Sequence, residues 1–284
     1  MKKNLTVGLL MLMGVAFFSC SSNTNTATQP EVEVDENTIV LSDGQTTVSW
    51  LKDNEGHRMM NRDLFQTAPD SLFELMGLQE GIPSSVSTFL MHADGEWILF
   101  DTGLGAERKG LLLEDLKTYN LTPDSIDYIY ITHFHGDHIG GMVAEGKPIF
   151  PNAKVYAGAV EYKAWVEDMP EERNAMQREA MEIYKDRLTL FQFGDVLPHD
   201  VKAIDAVGHT PGHTAFQKGN LLVIGDLMHG AALQMVHPEF NANFDMDKEQ
   251  AAASRKRLLD YARENHLIMA GMHLPEPAFI SMDE

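Results

Sequence analysis

Thr132-His133-Phe134-His135-Gly136-Asp137-His138-Ile139-Gly140-Gly141 is the stretch on which the reading of this chain turns. Three histidines and an aspartate fall within His133 to His138, directly after the apolar run 126–131. Such a run, closed by a glycine-containing turn, reads as a buried strand. Imidazole and carboxylate are the ligands that suit zinc and related first-row ions. A strand that stops at such a cluster can aim several donors at one point. The stretch therefore predicts a metal centre at a strand end, and with it metal-dependent hydrolysis.

Outward from this run, five more features sit at the ends of strand-like stretches: Asp101, His209-Thr210-Pro211-Gly212-His213, Gly225-Asp226, His229 and Gly271-Met272-His273. A lone histidine at any of them would read as a structural residue. Together with the first run they become candidate ligands, because strand ends on one edge of a layered fold converge. The flanking pattern supplies the layers. Strands are predicted over 38–41, 46–51, 86–93, 96–100, 126–131, 154–156, 188–193, 201–207, 215–218, 221–224 and, as the last, 267–270. Asp94-Gly95 and Gly219-Asn220 mark hairpins. Helical spacing runs over 61–65, 71–75, 108–119, 160–167, 171–187 and 247–264. Strands and helices recur in two rounds, 38–187 and 188–274, and the hairpins exclude purely parallel sheets. The expected fold class is α/β: two mixed sheets packed face to face with helices outside.

The whole chain of 284 residues suits one large domain after a leader. Asp and Glu number 42 against 22 Lys and Arg, a net charge of −20. That acidity speaks against nucleic acid, which needs a basic footprint. Cys20 is the single cysteine, so no intrachain disulfide can form. It lies where a signal would be cut: Lys2-Lys3, then the apolar stretch 5–18, then Ser19-Cys20. That stretch is shorter than the ~20 apolar residues a membrane span needs. The segment resembles a bacterial lipoprotein signal, with Phe17 where the usual pattern has leucine. The resemblance implies lipidation of Cys20 and a membrane anchor. Residues 1–19 are then the signal peptide and 20–37 the lipidated cysteine with a Ser/Thr/Asn-rich flexible tether. Residues 38–284 form the hydrolase domain of an exported lipoprotein, in the periplasm or at the cell surface.

The runs His133 to His138, Gly208 to His213, Gly225-Asp226 and His273, in that order, resemble the metallo-β-lactamase superfamily motifs over roughly residues 84–274. The resemblance implies an αββα four-layer sandwich with a site for two divalent metal ions, zinc foremost, at one edge. Residue by residue it gives His133, His135 and His213 to the first metal and Asp137, His138 and His273 to the second. Asp226 is the bridging carboxylate. Asp101 orients ligands from the turn beneath, and His209 is a residue of the surrounding loop. A water shared by the two ions would be acidified into a hydroxide nucleophile. Asp137 and Asp226 take catalytic roles as proton carrier and bridge, and His229 is the candidate leaving-group acid.

Branches of the superfamily differ at these positions. True β-lactamases of this fold lack a bridging aspartate where Asp226 stands. Glyoxalase II-like thioesterases carry a helical substrate domain after the last ligand, and few residues follow His273 here. The stretches Gly225 to His229 and Ala270 to Pro275 look like the branch of methyl parathion hydrolase and some N-acyl homoserine lactonases. The expected substrate is a small ester or lactone, with phosphotriesters as a side activity. Phe240, Phe244, Met228, Met235 and Leu274 are candidates for an apolar wall. The alternatives are a β-lactamase or thioesterase of the same fold, or a non-catalytic metal-binding lipoprotein.

Overall fold

The computed structural model describes residues 37–283, so the signal, Cys20 and all but the end of the tether lie outside the described residues. Within them the expected αββα sandwich is present. Its first sheet has seven strands in the order Thr38–Val40, Thr47–Lys52, Ser87–Ala93, Glu96–Phe100, Tyr128–Tyr130, Lys154–Gly158 and Leu188–Phe191. The first four pair antiparallel and the rest parallel. The second sheet has six strands: Val196–Leu197, Val201–Asp205, Thr214–Lys218, Leu221–Gly225, Ile268–Gly271 and Phe279–Ser281. Its single parallel pair is Leu221–Gly225 with Ile268–Gly271.

Period-two alternation explains why both faces of the first sheet are buried. In Glu96–Phe100, Ile98 and Phe100 face the second sheet, while Trp97 and Leu99 face the helical layer. Tyr128 and Tyr130 join the first face and Ile129 the second. Between the sheets Phe216 meets Phe100 at 5.7 Å and Tyr130 at 5.8 Å between ring centroids. On the outer face Leu112, Leu116, Ala180, Met181 and Tyr184 come from the helices Leu112–Thr118 and Ala175–Ile183. The long helix Lys248–Glu264, capped by Asp247 through Gln250 N–H, covers the second sheet with Leu258, Leu259 and Ala262.

The structure corrects the two-round division. Leu188–Phe191 closes the first sheet by pairing parallel with Lys154–Gly158, so the second sheet starts at Val196. Ile268–Gly271 is not the last strand; Phe279–Ser281 pairs along it. The helix expected over 171–187 is broken into turns around Ala175–Ile183. A small third core, built by Met60, Phe65, Phe73, Leu78, Ile82, Leu233 and Ala242, lies apart from both sheet interfaces. It is pinned by the hairpin Arg58–Met60 with Ile82–Ser84.

Candidate metal centre

Ends of strands deliver the chemistry-bearing side chains to one edge. Asp101 follows Glu96–Phe100, and Thr132 to His135 follow Tyr128–Tyr130. Gly136–Ile139 forms a helical turn with His135 as its N-cap, which places Asp137 and His138 on its first residues. His209 to His213 connect Val201–Asp205 to Thr214–Lys218, Asp226 follows Leu221–Gly225, and His273 follows Ile268–Gly271. Their side chains meet around Asp226. The Asp226 carboxylate lies 3.1 Å from His138 Nε2, 3.1 Å from His273 Nε2, 3.4 Å from His209 Nε2 and 3.2 Å from His229 Nε2.

On one side of it, His133 Nε2 and His209 Nε2 lie 3.1 Å and 2.9 Å from His135 Nδ1. On the other, Asp137 lies 3.9 Å from His138 Nε2 and 3.4 Å from His273 Nε2. Donor atoms of His133, His135, His209 and Asp226, and separately of Asp137, His138 and His273, are close enough to share an ion.

In His133, His138, His209 and His273 the far nitrogen fixes which nitrogen faces the cluster. Thr132 Oγ1 donates to Asp101 Oδ2 at 2.7 Å and accepts from His133 Nδ1 at 3.0 Å. His138 Nδ1 donates to Asp101 Oδ2 at 2.7 Å, and His273 Nδ1 to the Ser85 carbonyl at 2.9 Å. His209 Nδ1 donates to Asp245 at 3.1 Å, and Asp245 is held in turn by Arg255 at 3.1 Å. Ring lone pairs therefore converge on one another. In the described residues His138 Nε2 and Asp226 Oδ1 are buried without a hydrogen-bond partner. Converging lone pairs backed by carboxylates and carbonyls are what a metal centre requires. The residues fit a pair of divalent ions.

The electrostatics of the first donor set agree, whereas the carboxylates around His138 and His273 hold those two rings above the usual histidine range. Burial pushes His135 down to about 4 and His209 to about 3, and holds His133 well below the usual histidine range. These rings are neutral near pH 7, as ligands must be. Burial would raise the Asp226 carboxyl, but His138, His273 and His133 hold it well below the usual carboxylate range.

His213 does not take the place expected of it. Its Nδ1 donates to the Ala206 carbonyl at 2.8 Å, and its Nε2 accepts from Asp226 N–H at 3.0 Å. Both ring nitrogens are spent on the backbone, and His209, assigned to the loop, points its Nε2 at His135 and Asp226 instead. Among the described residues His209, rather than His213, has a donor atom within reach of those of His133, His135 and Asp226. His213 positions Asp226 through its main chain. Gly225, at φ 53°, makes room, since a Cβ there would run into His213 Nε2.

Three participants had no sequence signal. Glu161 is buried; its Oε1 accepts from Phe134 N–H at 2.9 Å, and its Oε2 from Thr210 Oγ1 at 2.9 Å and Gly212 N–H at 2.8 Å. It ties the two histidine loops together. The Asp245–Arg255 pair behind His209 is the second, and Arg58 is the third. The cavity over the cluster, about 290 Å³, is lined by Arg58, Met60 and Phe244 besides His135, Gly136, Asp137, His209, Asp226, His229 and His273. Of the expected apolar wall only Phe244 borders it. Met228 and Leu274 are buried in the main core, Met235 packs against that core, and Phe240 joins the third core. His229 lines the cavity with Nε2 toward Asp226, and its buried Nδ1 has no partner.

Residues 81–273 match the family model described as the metallo-beta-lactamase superfamily. Among solved structures, the hydrolase AbOPH of the beta-lactamase superfamily superposes with a TM-score of 0.76 at 27% identity, covering 88% of this chain and 94% of that one. AidC, a dizinc quorum-quenching lactonase in complex with a homoserine product, gives 0.74 at 26% identity, over 85% and 91% of the two chains. A probable metallo-hydrolase of Methanocaldococcus jannaschii is 27% identical over 164 residues, 57% of this chain. The match spans 64% of that relative, less than two thirds of its length.

Proposed function

The chain belongs to the metallo-β-lactamase superfamily, and from that premise we propose that it is a dinuclear metallohydrolase cleaving ester or lactone bonds of small molecules, with phosphotriesters as a side activity. The observation that carries the reading is the convergence of two donor sets on Asp226. His133, His135 and His209 would hold one divalent ion, Asp137, His138 and His273 the other, and Asp226 would bridge them. The overall likeness to a dizinc lactonase and to AbOPH favours zinc and the ester or lactone class.

When bound, the two ions would supply Lewis acidity toward the substrate oxygen and an acidified water between them. The chain's own residues do the rest. Asp101 and Ser85 hold the His138 and His273 rings in the tautomer that leaves Nε2 free. His213 and Asp245 fix Asp226 and His209 in the same way from behind. Asp137, partly exposed to the cavity, can carry a proton between attacking water and solvent. Apart from Arg58, His229 is the titratable group of the cavity outside both ligand sets, which suits it to protonate the leaving alkoxide.

The leader supports export and a lipid anchor at Cys20, with the catalytic domain tethered to a membrane surface.

The test is lactone ring-opening followed with a pH indicator, on metal-reconstituted protein from Asn23 onward, with Asp226→Asn as control. Turnover lost in the control supports the proposal. Absence of turnover on lactones, aryl esters and phosphotriesters, in protein shown to hold two metals, refutes it.

A further inference from the structure

One side chain of the cavity has no place in the chemistry above. Arg58 is exposed and lines the cavity wall, and its side chain makes no ion pair or hydrogen bond within the described residues. Its position is nevertheless fixed. Arg58 pairs across the small hairpin with Ser84, and Ser84 Oγ donates to the His273 carbonyl at 3.0 Å. Two residues on, Met60 is buried in the third core opposite Ile82. This two-stranded ladder thus ties the Arg58 backbone to a candidate ligand.

A second cation stands behind the cavity lining. Arg108, exposed and without an ion pair, lies against Gly136, where a Cβ would overlap its guanidinium. Gly136 itself lines the cavity. The carboxylates of the cavity are already engaged: Asp137 faces His138 and His273, and Asp226 faces five histidines. A guanidinium is a planar, permanently charged fork matched to carboxylate or phosphate oxygens. In a chain of net charge −20, an unpaired arginine on the wall of a cavity is the local exception to a field that repels anions. Met60 and Phe244 supply the apolar part of the lining.

From these observations we infer that Arg58 is a specificity residue that binds an anionic group on the substrate, so that the preferred substrates are esters or lactones bearing a carboxylate or phosphate at the end of a short apolar chain. This deepens the hydrolase reading and rests on it. Arg108 adds to the same field from the far side of Gly136.

The experiment compares mono-4-nitrophenyl adipate and suberate with the neutral hexanoate and octanoate esters, on metal-loaded wild type and Arg58→Gln. Arg58 is exposed, so the variant keeps its fold. The expected result is a selective loss: kcat/KM for the half-esters falls at least ~10-fold further than for the neutral esters, the factor carried by one charge-assisted hydrogen bond. The loss sits in KM rather than kcat, because the contact is made equally before and during reaction. The preference of the wild type for half-esters weakens as salt rises. Parallel losses on charged and neutral esters, or no loss on either, overturn the inference. Calorimetric titration with the corresponding mono-anilides reads binding without turnover. Tighter binding of the charged anilide, lost in Arg58→Gln, supports the inference even where no ester is cleaved and the hydrolase reading itself has failed. Equal binding of charged and neutral anilides overturns it.

Discussion

Two histidines four residues apart in one loop, His209 and His213, are assigned opposite tasks by their hydrogen bonds, and replacing each by alanine separates the tasks. His209→Ala removes a nitrogen from the first donor set and leaves Asp245 without its imidazole. Changes one step behind a ligand already cost 10–100-fold in metal affinity, so loss of the ligand itself should exceed about 100-fold. His213→Ala removes two hydrogen bonds, to the Ala206 carbonyl and from Asp226 N–H, at 2.8 Å and 3.0 Å. At roughly 1 kcal/mol net for each bond, plus the cavity left by a fully buried ring, the cost is about 2–4 kcal/mol of folding stability. For a domain of this size that lowers Tm by roughly 5–15 °C. The assay is metal content per chain after dialysis against buffered free zinc, alongside a thermal melt. His209→Ala should retain one equivalent at a zinc level that saturates the wild type, whereas His213→Ala should retain both and melt early. The reverse pattern, with one ion missing from His213→Ala and both present in His209→Ala, would refute this division of tasks.

Other outcomes follow from the same geometry. Asp226→Asn should lower occupancy of one or both ions and cut the rate by at least ~10²-fold; normal metal content and turnover would remove the bridging assignment. Metal-free protein should be most stable near pH 6.5, measured by chemical denaturation across pH. Burial depresses His135, His209 and His213 to about 4, 3 and 4, so below 6.5 the unfolded chain binds protons that the folded one refuses, and stability falls with falling pH. His273, raised to about 10 by Asp226 and Asp137 against the opposing effect of its burial, reverses the sign above 6.5, where its contribution is lost as pH rises. A profile that rises steadily from pH 5 to 9 would contradict this. Cys20→Ala should release the protein from the membrane fraction, and continued tight association would exclude the anchor.

The layers of the fold were legible because Glu96–Phe100 and its neighbours are near-continuous apolar runs, and a strand apolar on both faces must be covered on both. The first histidine run was legible for a different reason: its donors are contiguous, so a single strand end and helical turn suffice to gather them. What escaped reading is what depends on long-range partners. The short hairpin Arg58–Met60 with Ile82–Ser84 carries no extended alternation, so neither the third core nor the cavity wall it supports could be foreseen. Glu161 looked like one more charge on an amphipathic helix. Only the approach of Phe134, Thr210 and Gly212 makes it the tie between two loops.

The different hydrogen bonds of His209 and His213 show most plainly where such a motif stops informing. Both are strand-end histidines flanking the same Thr-Pro-Gly turn, and both are fully buried. A ring becomes a ligand when its far nitrogen has a fixed acceptor and its near nitrogen has none. For His209 the fixed acceptor is Asp245, thirty-six residues away in sequence, itself held by the buried Arg255. For His213 the near nitrogen is claimed by the main chain of Asp226, which follows Gly225 in the left-handed region. The motif thus specifies that two imidazoles will be buried at the strand edge. Which of them faces the metals is decided by hydrogen bonds that the rest of the chain brings to it.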